Sequence, residues 1–401
     1  MSFLGILAFV VALLFSIMVH EAGHFLAAKK FNMKVTEFFL GFGKKIWSFT
    51  RGETEFGLKS IPAGGYCRIV GMSSREVLTL DEADSKRAFV KASAFRRLIV
   101  LGAGSFNHFI LGFLIIFALF VGVGTTVVTP VVAEVVPCVN AVAATSDIKC
   151  QSSDTPSPAR FVGIKAGDRI ISINGVPSSD WLKSVIEIRN NPGKEIAIVD
   201  QRGTQMLEFK IVPSSVTRNG KKVGVIGIVN KLGTQTQNPI KATVSAYRLS
   251  QQLFTSSISS LIQLPSKVPA LIRQTFFHEK RDSTGLVGVV GVARVSGQAA
   301  SDKNLSVRER LATFMLIIAS LNIFVGIFNL LPILPLDGGH MALAFVDGFK
   351  RWRAKRLNRP EPAPVDIERL LPITIVVFVI LAALSLLLLG ADIFNPIHVN
   401  L

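Results

Sequence analysis

Residues 3–25 read FLGILAFVVALLFSIMVHEAGHF, a run with no charge before His20, Glu21 and His24. A helix crossing a bilayer needs about 20 mostly apolar residues, so the run is long enough to span one. Ionisable groups at the end of such a helix are costly unless they pair or bind something. Positions i and i+4 share a helix face, with Cβ atoms about 5–6 Å apart. Two imidazoles so placed can meet one Zn2+ at about 2.0–2.1 Å, and Glu21 beside them can act on a zinc-bound water as general base. In a soluble helix the same residues could be solvated charge, a reading that the cost of membrane burial disfavours. A secretory signal peptide is the other alternative. Against it, no Lys or Arg precedes the run, which is longer than a usual signal core.

Outward from this run the chain reads as a membrane protein. Of its 401 residues 49% are apolar and 18% charged, where globular domains carry about 25% charge. Further apolar runs at 98–128, 311–331 and 371–389 bring the expected spans to four. The net charge of +17 would suggest a nucleic-acid binder in a soluble chain, but the basic residues bunch beside the apolar runs. Lys29, Lys30, Lys34, Lys44, Lys45, Lys86, Arg87, Lys91, Arg96 and Arg97 follow the first run, and Lys350, Arg351, Arg353, Lys355, Arg356 and Arg359 the third. Such loops stay cytoplasmic, which puts 129–310 and both termini outside and makes the bilayer, not nucleic acid, the partner. Three cysteines are too few for a disulfide scaffold. The expected parts are a membrane part over 1–128, an outer domain over 129–231, an outer linker over 232–310 and a second membrane part over 311–401.

Within the outer domain, β-branched runs at 131–136, 169–173, 195–199, 208–212 and 222–228 alternate with Gly, Pro and Asn turns. The stretch from Gly163 through Gly167-Asp168 to Asn174-Gly175 resembles the core of a PDZ domain, a module that binds peptide by strand addition. Cys138 and Cys150 lie in a polar insertion, where an oxidising compartment would allow a bridge between them or leave two free thiols. Cys67 falls on the cytoplasmic side with no evident partner. Residues 239–273 have the spacing of an amphipathic helix, expected to break at Pro265 and Pro269.

A catalytic zinc takes three protein ligands and one open position. His278 falls outside and His398 in the terminal tail, while His108, inside the second run, can be a satisfied buried histidine or a supporting donor. The leading candidate is Asp337, with His340 competing, in the stretch from Asn329 through Pro332 and Pro335 to Asp337-Gly338. Two prolines there cannot continue a regular helix. Irregular backbone at membrane depth is tolerated where it is buried in protein or lines a wet cavity. The break leads to Asp337, at the depth of His20 and His24.

With these motifs in order, the chain resembles the site-2 protease family, zinc metalloproteases that cut within membranes, and among them the bacterial proteases of anti-sigma factors. The resemblance implies a polytopic α-helical membrane protein of about four transmembrane helices, with a reentrant β-hairpin and one extracytoplasmic PDZ domain. It implies one Zn2+ held by His20, His24 and Asp337, with Glu21 activating water. Asn329 would bind substrate or oxyanion, its alternative being a polar contact between helices. The region Gly41-Phe42-Gly43 through Ile61 to Gly64-Gly65-Tyr66 is similar to the reentrant hairpin, implying substrate contact. The family usually has Gly-Pro-x-x-Asn in the second span. Here Gly104-Ser105-Phe106-Asn107 lacks the proline and keeps the asparagine, so the resemblance implies a positioning role for Asn107.

A helical substrate must unwind before it is cut, and its freed amides need partners at membrane depth. Strand addition to a hairpin over 45–61, turning at Arg51-Gly52-Glu53, would supply them, though so short a signal also fits an ordinary hairpin. The outer domain would bind a newly cut C-terminus or sterically exclude uncut substrates. The expected substrates are single-span proteins of the anti-sigma-factor type in a bacterial inner membrane, with remnant signal peptides as a further class. Two other functions compete: a non-catalytic PDZ adaptor, which predicts loss of Glu21 or a ligand, and a zinc transporter, which predicts ionisable groups spread through the spans.

Overall fold

The computed structural model describes all residues except 1, 73, 140–149, 151–153, 219, 278, 280, 282–285, 303–304, 366 and 397–401. His278, His398 and most of the polar insertion lie outside the described residues. Two compact units emerge, Met1–Gly124 with Thr236–Leu401, and Thr125–Gln235.

Among the described residues of the first unit, four helices are long and apolar enough to cross a membrane: Phe3–Lys30, Ala94–Val123, Val307–Asn329 and Leu371–Phe394. Their bounds differ from the apolar runs for local reasons. The second starts earlier because Ser93 caps it, its side chain accepting from the Arg96 N–H. It stops at Gly124, whose φ of 86° ends the helix before the residues at 125–128, which are strand. The third starts at Val307 behind a capping box of Ser306 and Glu309.

The first span runs into a hairpin of strands Val35–Arg51 and Thr54–Ile69. Gly41 and Gly43, at φ of 89° and 87°, bend the first strand. Its early half therefore faces Gly65 to Ile69 on one side and Glu55 to Leu58 on the other. The hairpin is thus longer than residues 45–61, and its two-residue turn does not form an outlying tip. Glu53 in that turn is clamped by Arg87 (2.6 and 2.7 Å) and Lys29 (2.5 Å), which hold its carboxyl down at about 2. The exposed end is the bend, where Phe42, Ile46 and Ile61 are open.

Helix Pro239–Phe276 passes through Pro265 and Pro269 unbroken, contrary to the expected break. Each proline removes one backbone bond, and a helix already held by packing can bend there instead of ending. Ala242 and Ala246 are fully buried with Ile116 and Phe120 of the second span and Ala319 and Ile323 of the third. A helix that the sequence reading did not foresee, Val289–Ser301, packs on the first span, where a Cβ on Gly5 would lie 2.7 Å from Ala300 Cβ. Arg281 pairs with Asp392 of the fourth span at 2.9 Å, both side chains buried.

The second unit holds a sheet in the order Ile228–Gln235, Thr125–Val135, Arg169–Ile173, Ile196–Arg202, Gln205–Ile211. Helix Trp181–Asn190 and the sheet enclose Val132, Ile170, Ile173, Trp181, Ile188, Ile196 and Ile198. Asn174 and Gly175, at φ of 48° and 77°, make the turn their dipeptide predicts. The run at 222–228 is two strands: Gly227, at φ 83°, separates Lys221–Val225, paired with Ser214–Arg218, from Ile228–Gln235. Cys138 and Cys150 form a disulfide.

Candidate metal centre

The last turns of the first span present His20 and His24 on one face, their Nε2 atoms 3.1 Å apart. The third span ends at Asn329, and a turn carries the chain to helix Asp337–Arg356. That helix starts tightly against the turn. A Cβ on Gly338 would lie 2.3 Å from the Leu330 carbonyl, so the residue after Asp337 must be glycine. Asp337 Oδ2 thereby reaches 3.3 Å from both histidine Nε2 atoms.

His24 Nδ1 lies 2.8 Å from the Val100 carbonyl, which can only accept, so Nδ1 carries the proton and Nε2 is left with a lone pair. Asp337 Oδ2 is buried without a hydrogen bond. Acceptor atoms 3.1 to 3.3 Å apart repel one another unless a proton or cation sits among them. Metal–ligand bonds of about 2.0–2.1 Å give tetrahedral edges of about 3.3–3.4 Å, so the donor set fits zinc without rearrangement. His340 is not part of the His20, His24 and Asp337 cluster.

The second span closes one side. A Cβ on Gly104 would fall 2.5 Å from His20 Cε1 and 2.6 Å from His24 Nε2, so the imidazoles lie against bare backbone. Asn107 Nδ2 donates to the Val19 carbonyl at 2.8 Å, joining the first two spans beside His20. Glu21 faces the hairpin: the Cys67 backbone lies near its carboxylate, and a Cβ on Gly65 would be 3.0 Å from its Cγ. Gly64 lies against Phe42, which stacks on Tyr66. The backbone beside Glu21 is therefore that of Gly65 to Cys67, not the segment 45–61. Asn329 is half-buried at the end of the third span.

Two features escaped the sequence reading. Asn322 donates to Ser16 Oγ (3.1 Å) and to the Ile318 carbonyl (2.8 Å), which turns its Oδ1 to accept from His108 Nδ1 at 2.8 Å. The His108 ring sits 4.9 Å from that of His20. The usable signal was an asparagine inside an apolar run. The second is the buried pair Arg97–Asp347, at 2.9 Å.

This geometry describes a membrane protein with a centre built for a hydrolytic metal. Residues 8–359 match Peptidase family M50. Zinc metalloprotease Rip1 of Mycobacterium tuberculosis (strain H37Rv) is 32% identical over 405 residues, covering 98% of each chain. The Rip1 of Mycolicibacterium smegmatis is 30% identical over 99% of this chain and 98% of its own. The Regulator of sigma E protease of Salmonella typhimurium (strain LT2) is 24% identical over 86% and 90%. The chain belongs to Peptidase family M50, the site-2 proteases. It is an intramembrane zinc metalloprotease, and zinc is its cofactor.

Proposed function

We propose that the chain cuts single-span membrane proteins of the anti-sigma-factor type within their spans, after a first protease has trimmed them. The observation that carries this reading is the convergence of His20, His24 and Asp337 beside Glu21 and the hairpin backbone at Gly65 to Cys67. His20, His24 and Asp337 hold the zinc. Zinc supplies a lowered water pKa and polarisation of the scissile carbonyl. Glu21 takes the proton of the attacking water and returns one to the leaving amine. The unwound substrate adds as a strand along Gly64 and Gly65, while Phe42, between Gly41 and Gly43, packs on its side chains and dips with the exposed bend into the bilayer. Asn329 hydrogen-bonds the substrate backbone, and Asn107 positions the histidine-bearing helix.

The basic loops keep the hairpin end of the centre cytoplasmic in a bacterial inner membrane. The unit Thr125–Gln235 is a PDZ domain on the outer side, and it excludes substrates whose outer domains remain. The test is cleavage of a single-span reporter lacking its outer domain by purified protein in detergent. Wild type is expected to cut it, while Glu21→Gln and the chelated protein do not. Equal cutting by Glu21→Gln would refute the role of Glu21.

A further inference from the structure

Helix Asp337–Arg356 has two faces, and the metal centre uses only its first residue. The inner face lies along the second span in opposite chain direction. Met341 stands by Gly102, Asp347 pairs with Arg97, and a Cβ on Gly348 would be 2.7 Å from Ala94 Cβ. Ala94 opens the second span, so the helix leaves the level of the centre and reaches the end of that span at Gly348. Its remaining eight residues, about 12 Å at 1.5 Å each, project past it.

The outer face carries Phe345, Phe349 and Trp352, which are 64%, 52% and 55% exposed. At about 100° per residue these three and Arg356 form one stripe, with Arg353 and Lys355 about 90° to either side. Arg356 lies 5.5 Å from the Trp352 ring centre. From 350 to 359 the chain has Lys350, Arg351, Arg353, Lys355, Arg356 and Arg359 and no acidic residue. Along the axis, the order is phenylalanines level with the end of the span, then tryptophan, then cations. That is the order of acyl chains, interface and headgroups in a leaflet.

We propose that this face binds anionic lipid headgroups, with Phe345, Phe349 and Trp352 at the acyl boundary and Arg353, Lys355 and Arg356 on the phosphates. The placement argues for lipid over a soluble partner: the stripe begins within the depth of a span, and its helix is tethered between spans ending at Asn329 and starting at Leu371. Binding of lipid here does not depend on the protein's substrate.

The test uses the full chain with Trp47→Phe and Trp181→Phe, which leaves Trp352 as the one tryptophan. It is placed in nanodiscs of phosphatidylcholine with either brominated phosphatidylglycerol or brominated phosphatidylcholine at equal fraction. The expected result is blue-shifted Trp352 emission, quenched several-fold more by the anionic lipid. In Arg353→Gln/Lys355→Gln/Arg356→Gln the preference should fall to within about twofold. Equal quenching by both lipids overturns the proposal, and quenching by neither means that protein or solvent covers the face. Native mass spectrometry of the unaltered protein gives an independent reading: retained phosphatidylglycerol supports the surface, and no excess over phosphatidylcholine counts against it.

Discussion

Gly104→Ala should disable the centre without touching a ligand. The added Cβ would stand 2.5 Å from His20 Cε1, 2.6 Å from His24 Nε2 and 2.7 Å from His20 Nδ1. Comfortable carbon contacts begin near 3.5 Å, so the rings must retreat by about 1 Å. Metal–ligand distances tolerate only about 0.2 Å. A retreat several times larger should lower zinc affinity about 10- to 100-fold, the usual effect of disturbing groups that orient ligands. A misplacement of about 1 Å should cost cleavage about 100-fold, or about 2.7 kcal/mol of barrier.

Gly102→Ala is the matched control. It lies in the same helix, and its Cβ would meet only Met341 at 3.6 and 3.9 Å, ordinary contact distances. Both substitutions raise helix propensity by about 1 kcal/mol, so a difference between them reports the ring clash. The assay is competition for zinc with a calibrated chelator, with reporter cleavage in parallel. If Gly104→Ala held zinc and cut substrate like Gly102→Ala, the packing of the imidazoles on the second span would be refuted.

Asp337→Asn should lower zinc content in atomic absorption, since it removes the anionic donor 3.3 Å from both histidines. Retention of full zinc would point to a different third ligand. Arg97→Met leaves Asp347 buried and unpaired, and should destabilise the chain by about 3–5 kcal/mol. Arg97→Met/Asp347→Leu should regain much of that loss in thermal unfolding; a double variant no more stable than the single would refute the pairing argument. In the second unit, burial and the neighbouring charge of Asp168 push the Asp200 carboxyl up to about 6, while Arg202 at 2.7 Å holds Asp168 ionised. A folded pKa above the unfolded one favours folding at low pH, and that contribution is lost as pH rises through about 6. Amides of Ile196–Arg202 in the whole chain should therefore be better protected from hydrogen exchange at pH 5 than at 7.5, after correction for intrinsic rates. Asp200→Asn should flatten the difference; an unchanged pH dependence would exclude Asp200 as its source.

What could be read in the sequence follows the range of each interaction. His20, Glu21 and His24 were legible because a metal pair at i and i+4 needs only one helix. Asp337 was legible through the backbone, since Pro332 and Pro335 exclude helix before it. The bend at Gly41 and Gly43 was visible as a motif, but its consequence was not. Bringing Glu55 to Leu58 against the first strand is a pairing decision that no local pattern encodes. Helix Asp337–Arg356 was hidden because Gly338, Gly339 and a basic tail look like loop. Arg97 was read as a topological charge, although its partner lies 250 residues away.

The contacts that escaped notice share a physical reason. Lipid tails are as apolar as leucine, so burial alone does not set the register between spans; close packing and polar contacts must. In the first unit these gather at the centre. Asn107 reaches the Val19 carbonyl, His24 the Val100 carbonyl, and Asn322 joins Ser16 of the first span to His108 of the second. Gly23 and Gly104 let the first two helices approach where the ligands sit, a Cβ on Gly23 falling 2.5 Å from the Ala103 carbonyl oxygen. The residues that register the three spans are thus neighbours of His20, His24 and Asp337, the proposed metal ligands. A substitution that shifts one helix by a fraction of a turn must move a ligand, which explains how the site keeps its geometry in a solvent that offers no hydrophobic drive to hold it.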